Sequence, residues 1–153
     1  MANHSYMRIT GKKTGLISAG CSTPESIGSL CQTGHTDQIL VLALNHAMTS
    51  VSNMSDAVHN PLVINKLLAD AMTRGEELEC EIDLYRTADA LHQKYYSLTL
   101  KGARIVGLTL DIPNVLMFND ALPTEQVVLR YHTITWTHHI ARTNGYAFWG
   151  LEE

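Results

Sequence analysis

Basic charge is sparse in this chain. Its 11 Lys and Arg residues are scattered and outnumbered by 15 Asp and Glu. A formal net charge of −4, with no basic run to form a patch, argues against a nucleic-acid partner. Cysteine is limited to Cys21, Cys31 and Cys80, with no C-x-x-C pair. Three cysteines cannot make a closed disulfide framework, and they fit a chain made and folded in a reducing cytoplasm. No segment approaches the roughly 20 apolar residues that cross a bilayer, so no membrane insertion is expected. The opening MANHSYMRIT lacks a charged region followed by an apolar one, so no cleaved signal peptide is expected. Gly-rich phosphate cradles, G-x-S-x-G elbows and zinc-ligand spacings are also missing, and no cofactor is expected.

What is present describes an ordinary globular protein. Hydrophobic residues make up 45% and charged residues 17%, which excludes a disordered or fibrous chain. At 153 residues the expectation is one domain spanning 1–153, able to bury about two-thirds of its unfolded surface.

The chain is organised around DQILVLALNHAM, residues 37–48. Six consecutive apolar residues, 39–44, read as a short strand with Leu40, Leu42 and Leu44 on one face and Ile39, Val41 and Ala43 on the other. A strand greasy on both faces needs a second cover, from a helix, another sheet or another subunit. A buried turn and a half of helix is the competing reading, because Leu and Ala are good helix formers.

Around that run the pattern is mostly β. Residues 6–10 alternate and end in a turn at 11–15, and 16–20 read as a second short strand. Residues 21–36 read as a long loop, of the kind that is usually functional or mobile. Residues 49–60 read as a second polar loop and 61–64 as a brief strand. A helix follows, since Ile64, Leu67, Leu68, Ala71 and Met72 form one apolar stripe. Gly75 stops it as a C-terminal cap, with Arg74 at the negative end of the dipole. Residues 78–86 alternate throughout. Residues 95–111 hold two strands meeting near Lys101 and Gly102, in a bend rather than a tight hairpin. After a loop at 113–123, residues 126–138 form a long strand rich in β-branched and aromatic side chains. Residues 145–150, with Tyr146, Phe148 and Trp149, dock as the last strand. One helix among many strands predicts a β-barrel or sandwich capped by a helix.

Candidate chemistry is thin. His138 and His139 are adjacent in a strand, so their side chains point to opposite faces and cannot share a metal ion. Cys31, His35 and Asp37 imitate a catalytic set in spacing alone, and such sets are defined by geometry. Glu79, Glu81 and Asp83 share a strand face, with Glu76 and Glu77 nearby. The default for this acidic cluster is a wet sheet face, with an ion or a basic partner as the functional alternative.

Five stretches carry a resemblance: MRITGKKTGLISAGCSTPESIG (7–28), GHTDQILVL (34–42), LECEIDLYRT (78–87), YYSLTLKGARIV (95–106) and ITWTHHIARTNGY (134–146). In this order they cover most of the chain, which resembles the haemolysin-coregulated protein (Hcp) family of bacterial type VI secretion. The resemblance implies a mainly β fold, a barrel of two sheets with one flanking α-helix, like phage tail-tube proteins. It also implies a homohexameric ring that stacks into a tube, acts with spike and sheath components, and carries small effector proteins in its lumen. The protein is then a structural subunit and not an enzyme. It starts in the bacterial cytoplasm and leaves through the type VI apparatus without a cleaved signal. By the family pattern Asn45 faces the channel. The loop at 49–60, with Thr49, Ser50, Val51, Met54 and His59, contacts a neighbouring subunit or ring.

The chain departs from that pattern once. Residues 61–64 run almost directly into the helix, where typical members carry a longer polar connection. This motivates an alternative, an effector-carrier or chaperone ring that does not build long tubes. A small metal-dependent or hydrolytic enzyme using the His35 or His138 region is the third reading. The chain stops at Glu153, so no fused toxin domain is expected.

Overall fold

The computed structural model describes residues 4–46, 55–61, 66–118, 120 and 122–148. Ten strands are present among them: β1 Ser5–Gly11, β2 Gly15–Leu16, β3 Ile39–Val41, β4 Ala43–Asn45, β5 Ser55–Pro61, β6 Leu78–Ala88, β7 Leu91–Asp111, β8 Thr124–Arg130, β9 Thr133–His138 and β10 Thr143–Phe148. The helices are α1, Pro24–Ile27, which runs into a 3₁₀ turn at Gly28–Leu30, and α2, Lys66–Arg74. All strand pairs are antiparallel. The hydrogen-bonded order runs β2-β1-β6-β7-β8-β5-β4, with β3 on β1, β9 on β7 and β10 on β9.

Alternation decides which side chains go inward. On β1 and β6, Met7, Ile9, Leu78, Cys80 and Ile82 face the core, while Arg8, Thr10, Glu79 and Glu81 face out. Leu98, Leu100, Val127, Leu129 and Ile134 meet them from β7, β8 and β9. α2 contributes Leu68 and Ala71, both buried, and Met72 lies at its margin, 38% exposed. The helix ends as its glycine predicts. Gly75 has φ +59°, its N–H donates to Met72 O, and the Glu76 N–H donates to Ala71 O. That pair of bonds is the Schellman closure. The residues joining β5 to α2, 62–65, with the Ile64 end of the expected stripe, lie outside the described residues.

The first sheet holds β1, β2, β3, β6, β9, β10 and the first half of β7, and the second holds β4, β5, β8 and the second half of β7. Three chain segments turn a corner between them. β7 pairs with β6 and β9 in its first half and with β8 in its second. The turning point is Gly102, at φ +61°. The expected bend at 101–102 is therefore present, inside one continuous strand. The long strand expected over 126–138 is instead two, β8 and β9, broken at Tyr131 and His132. These two corners touch: the His132 N–H donates to Lys101 O, and a Cβ on Gly102 would lie 2.7 Å from the His132 ring. Glycine is needed there for both reasons.

The third corner is the central run. Residues 39–44 are not one strand. β3 pairs with β1, the chain bends at Leu42, and β4 pairs with β5. Covalent continuity through Leu42 thus joins the outer strands of the two sheets. Within one chain the two covered faces extend over Ile39, Leu40 and Val41, all buried, and stop at Leu42, which is 50% exposed.

Three further expectations need correction. Only Gly15 and Leu16 of the second strand are extended, because 17–22 is turn, closed by Cys21 N–H to Ser18 O and tied to β1 by Ile17 N–H to Ile9 O. The loop at 21–36 contains α1 and the 3₁₀ turn. It is also tied down: the Ser18 hydroxyl donates to Asp37 O at 2.8 Å and the Ser22 hydroxyl to Gln38 O. Residues 55–60 of the second loop are strand, paired in full register with β8.

Candidate assembly surface

The expected channel residue, Asn45, ends β4 with its side chain exposed and its backbone level with Ala57. The next residue anchors this strand end. His46 Nε2 shares a 2.8 Å hydrogen bond with the Tyr131 hydroxyl, and its ring lies edge-on to Trp136 at 6.0 Å. Partial burial lowers the His46 pKa, which favours the neutral ring. Asn45 is therefore presented to solvent from a fixed position.

Of the loop residues, Thr49, Ser50, Val51 and Met54 lie outside the described residues. His59 is not in a loop. It sits within β5, level with Ala43 on β4 and Gln126 on β8. The loop reading failed here because 55–60, SDAVHN, is polar by composition. β8 and β4 flank it on both sides, and ladder hydrogen bonds override weak local propensity.

The acidic cluster divides by burial. Glu79 and Glu81 are exposed, as a wet face predicts, but Asp83 is only 3% exposed. It is supported across the sheet: the Ser97 hydroxyl donates to Asp83 Oδ1 at 2.7 Å, and Lys94 Nζ stands 3.6 Å from Oδ2. Ser97 Oγ also lies 2.7 Å from His139 Nε2. A hydroxyl has one proton, already directed to Asp83, so His139 Nε2 is the donor. Such a chain aims the serine's proton at a carboxylate and leaves no histidine nitrogen to take it. It is a structural brace across β6, β7 and the end of β9.

Glu76 is buried for a different purpose. The backbone N–H groups of Lys13 and Thr14 donate to its Oε1 at 2.8 and 2.6 Å, and the Thr14 hydroxyl donates to Oε2 at 2.5 Å. These bonds, led by the Thr14 hydroxyl, hold its pKa below the usual carboxylate value. Glu76 thereby closes the β1–β2 turn.

Neither histidine region assembles a catalytic or metal centre. His35 stacks on Tyr6, centroids 3.9 Å apart, and its Nδ1 bonds Gln38 Oε1, whereas the Asp37 carboxylate accepts the Gly20 N–H. Cys31, His35 and Asp37 are thus not aligned as a relay. His138 and His139 diverge as expected: His138 Nδ1 accepts the Ala141 N–H while His139 reaches Ser97. Among the described residues no group of three His, Cys, Asp or Glu side chains is placed to hold a metal.

What the surface does present is apolar. Ile112, Val115, Leu116, Met117 and Phe118 in the β7–β8 loop are between 58 and 93% exposed, with Leu110 and Leu122 beside them. On β10, expected to dock its aromatics, Tyr146 and Phe148 point outward at 78 and 63% exposure. Trp149 lies outside the described residues. The signal for the loop was readable as V-L-M-F between Pro113 and Pro123, an apolar quartet where a solvated loop is polar.

The comparisons agree with one another. The family model described as "Type VI secretion system effector, Hcp" matches residues 6–138. The "Major exported protein" of Pseudomonas aeruginosa is 39% identical, over 97% of this chain and 96% of its own length. Among solved structures, an Hcp protein superposes with a TM-score of 0.88 at 30% identity, covering 96% of this chain and 100% of that one. The secreted protein Hcp3 from Pseudomonas aeruginosa gives 0.86 at 35% identity, over 97% and 99%. Such relatives point to an exported structural protein of type VI secretion and not to an enzyme. With a match over most of its length and a shared fold, the chain belongs to the Hcp family.

Proposed function

We propose that this protein is a tube subunit of the type VI secretion system. Six copies close into a ring, rings stack into the inner tube, and small effector proteins travel in the lumen. The observation that carries this reading is the uncovered apolar surface on the β7–β8 loop and on β10, which a monomer would leave in water. A ring covers such surface through head-to-tail contacts whose rotation closes, and stacking adds a second heterologous contact along the axis. In this reading Asn45 faces the channel, and the segment holding Thr49, Ser50, Val51 and Met54 contacts a neighbouring subunit or ring. The tube is loaded in the bacterial cytoplasm and works with spike and sheath components.

The short connection between residue 61 and α2 favours one second reading, a carrier ring that binds effectors without building long tubes. Light scattering behind a sizing column, with negative-stain images of the same peak, tests both. Rings of six chains that also give filaments support the tube subunit, and rings without filaments support the carrier. A clean monomer of 17.0 kDa at high concentration would sink both readings. Asn45→Ala is then compared with the parent ring for retention of a lumenal effector. Unchanged retention would remove Asn45 from the channel.

A further inference from the structure

A second surface feature, an uncharged cleft, answers the exposed loop. At the Leu42 corner an open cleft of ≈ 220 Å³ is lined by Ser5, Val41, Leu42, Ala43, Leu44 and Leu84, none of them charged. The loop patch has no charge at its centre either: Val115, Leu116, Met117 and Phe118 are consecutive, and Leu116 is 93% exposed. We infer that this loop inserts into the Leu42 cleft of a second copy of the chain, forming the head-to-tail contact of the ring.

Three arguments support a second copy as the occupant. The first is extent. With Leu110, Ile112 and Leu122, the patch comprises seven large apolar side chains, each more than half exposed, where single scattered ones are the ordinary case on a monomer. The second is fit. An apolar cavity of about 150 Å³ accommodates a benzene ring, so the cleft has room for a leucine or phenylalanine side chain. The third is symmetry. A projecting apolar knob and a separate uncharged hole on one molecule make a heterologous contact, which is the kind that generates rings. The chain does not fill its own cleft with the knob, since Leu42 stays 50% exposed and the loop stands free in solvent. The two surfaces leave the second sheet from different strands, the β7–β8 hairpin and the β4 edge, with β5 between them.

This inference rests on the ring reading, and the test separates the two. Leu116→Asp places a charge in the knob and Leu42→Asp places one in the cleft. Both positions are solvent-exposed, and unchanged circular dichroism confirms folding. The expected result is that each variant alone runs as a monomer under conditions where the parent chain assembles. Mixing the two restores one good knob and one good cleft per pair, so a species of twice the 17.0 kDa chain mass forms and goes no further. If the parent assembles and Leu116→Asp assembles equally well, the inference is overturned while the ring stands. If Leu116→Asp is monomeric but Leu42→Asp assembles, the loop meets a different surface and the inference is overturned. A parent chain that is itself monomeric removes both.

Discussion

The corner where Gly11 meets Glu76 and the loop between β7 and β8 are both reversals of the chain, yet they treat water in opposite ways. At the first, a carboxylate is withdrawn from solvent and receives two N–H groups and a hydroxyl. The backbone approaches so closely that a Cβ on Gly11 would lie 2.5 Å from Glu76 Oε1. At the second, four consecutive apolar side chains are left in water, on a turn where the Met117 and Phe118 N–H groups donate to Asn114 O and the Leu116 N–H donates to Asn114 Oδ1. The first corner completes the folded chain, and the second is unfinished until something covers it. A buried polar group without partners destabilises the fold. An exposed apolar side chain costs the isolated chain little but favours association.

Substitutions sharpen this contrast, beginning with the core that both corners enclose. Leu100 is fully buried, and Leu100→Ala lowers the free energy of unfolding by about 2–5 kcal/mol in a denaturant titration, through lost transfer energy and a cavity. Gly102→Ala acts by backbone strain at φ +61° and by collision with the His132 ring, and costs about 1–3 kcal/mol by the same titration. If it costs nothing, the two corners do not pack as described.

Glu76→Gln has a smaller effect that depends on pH. The folded pKa of Glu76 lies below its unfolded value, so the unfolded state binds its proton first as pH falls. The stabilisation is fully present above the unfolded pKa and is lost as pH falls through the folded one. Thermal melts across the acidic range are therefore expected to show a shallower decline for the Gln variant. Parallel curves would mean that the carboxylate is not held by the 13–14 turn. Leu116→Ala gives the smallest effect. In the monomeric chain its free energy of unfolding stays within about 0.5 kcal/mol of the parent. A larger loss would show that the loop belongs to the fold and not to an interface.

Much of this was legible without coordinates. The alternation of 78–86, the stripe and glycine stop of α2, and the bend at Gly102 each follow from local periodicity or from one residue's backbone freedom. The errors share a cause. Residues 39–44 and 126–138 read as single strands because their apolar and β-branched content is continuous, and content does not mark where a strand changes sheet. Residues 55–60 read as a loop because edge-to-edge pairing with β4 and β8 is invisible in composition. Asp83 reads as solvated because its cover, Ser97 and Lys94 on the neighbouring strand, is distant in sequence. Asn45 was assigned by family pattern alone. The described structure adds its exposure and the His46 anchor, while four of the five loop residues named with it fall outside what is described.

The amino-acid sequence by itself determined the class of the fold, its family and the absence of catalytic motifs. These depend on periods of two and 3.6 residues and on chain-wide identity, which are properties of residue order. Only the tertiary structure decided where strands cross between sheets, which acids are buried, and that an apolar loop and an uncharged cleft stand exposed on the same molecule. Those depend on which distant segments come within a few ångströms of one another, and burial is a property of that arrangement and not of any one segment.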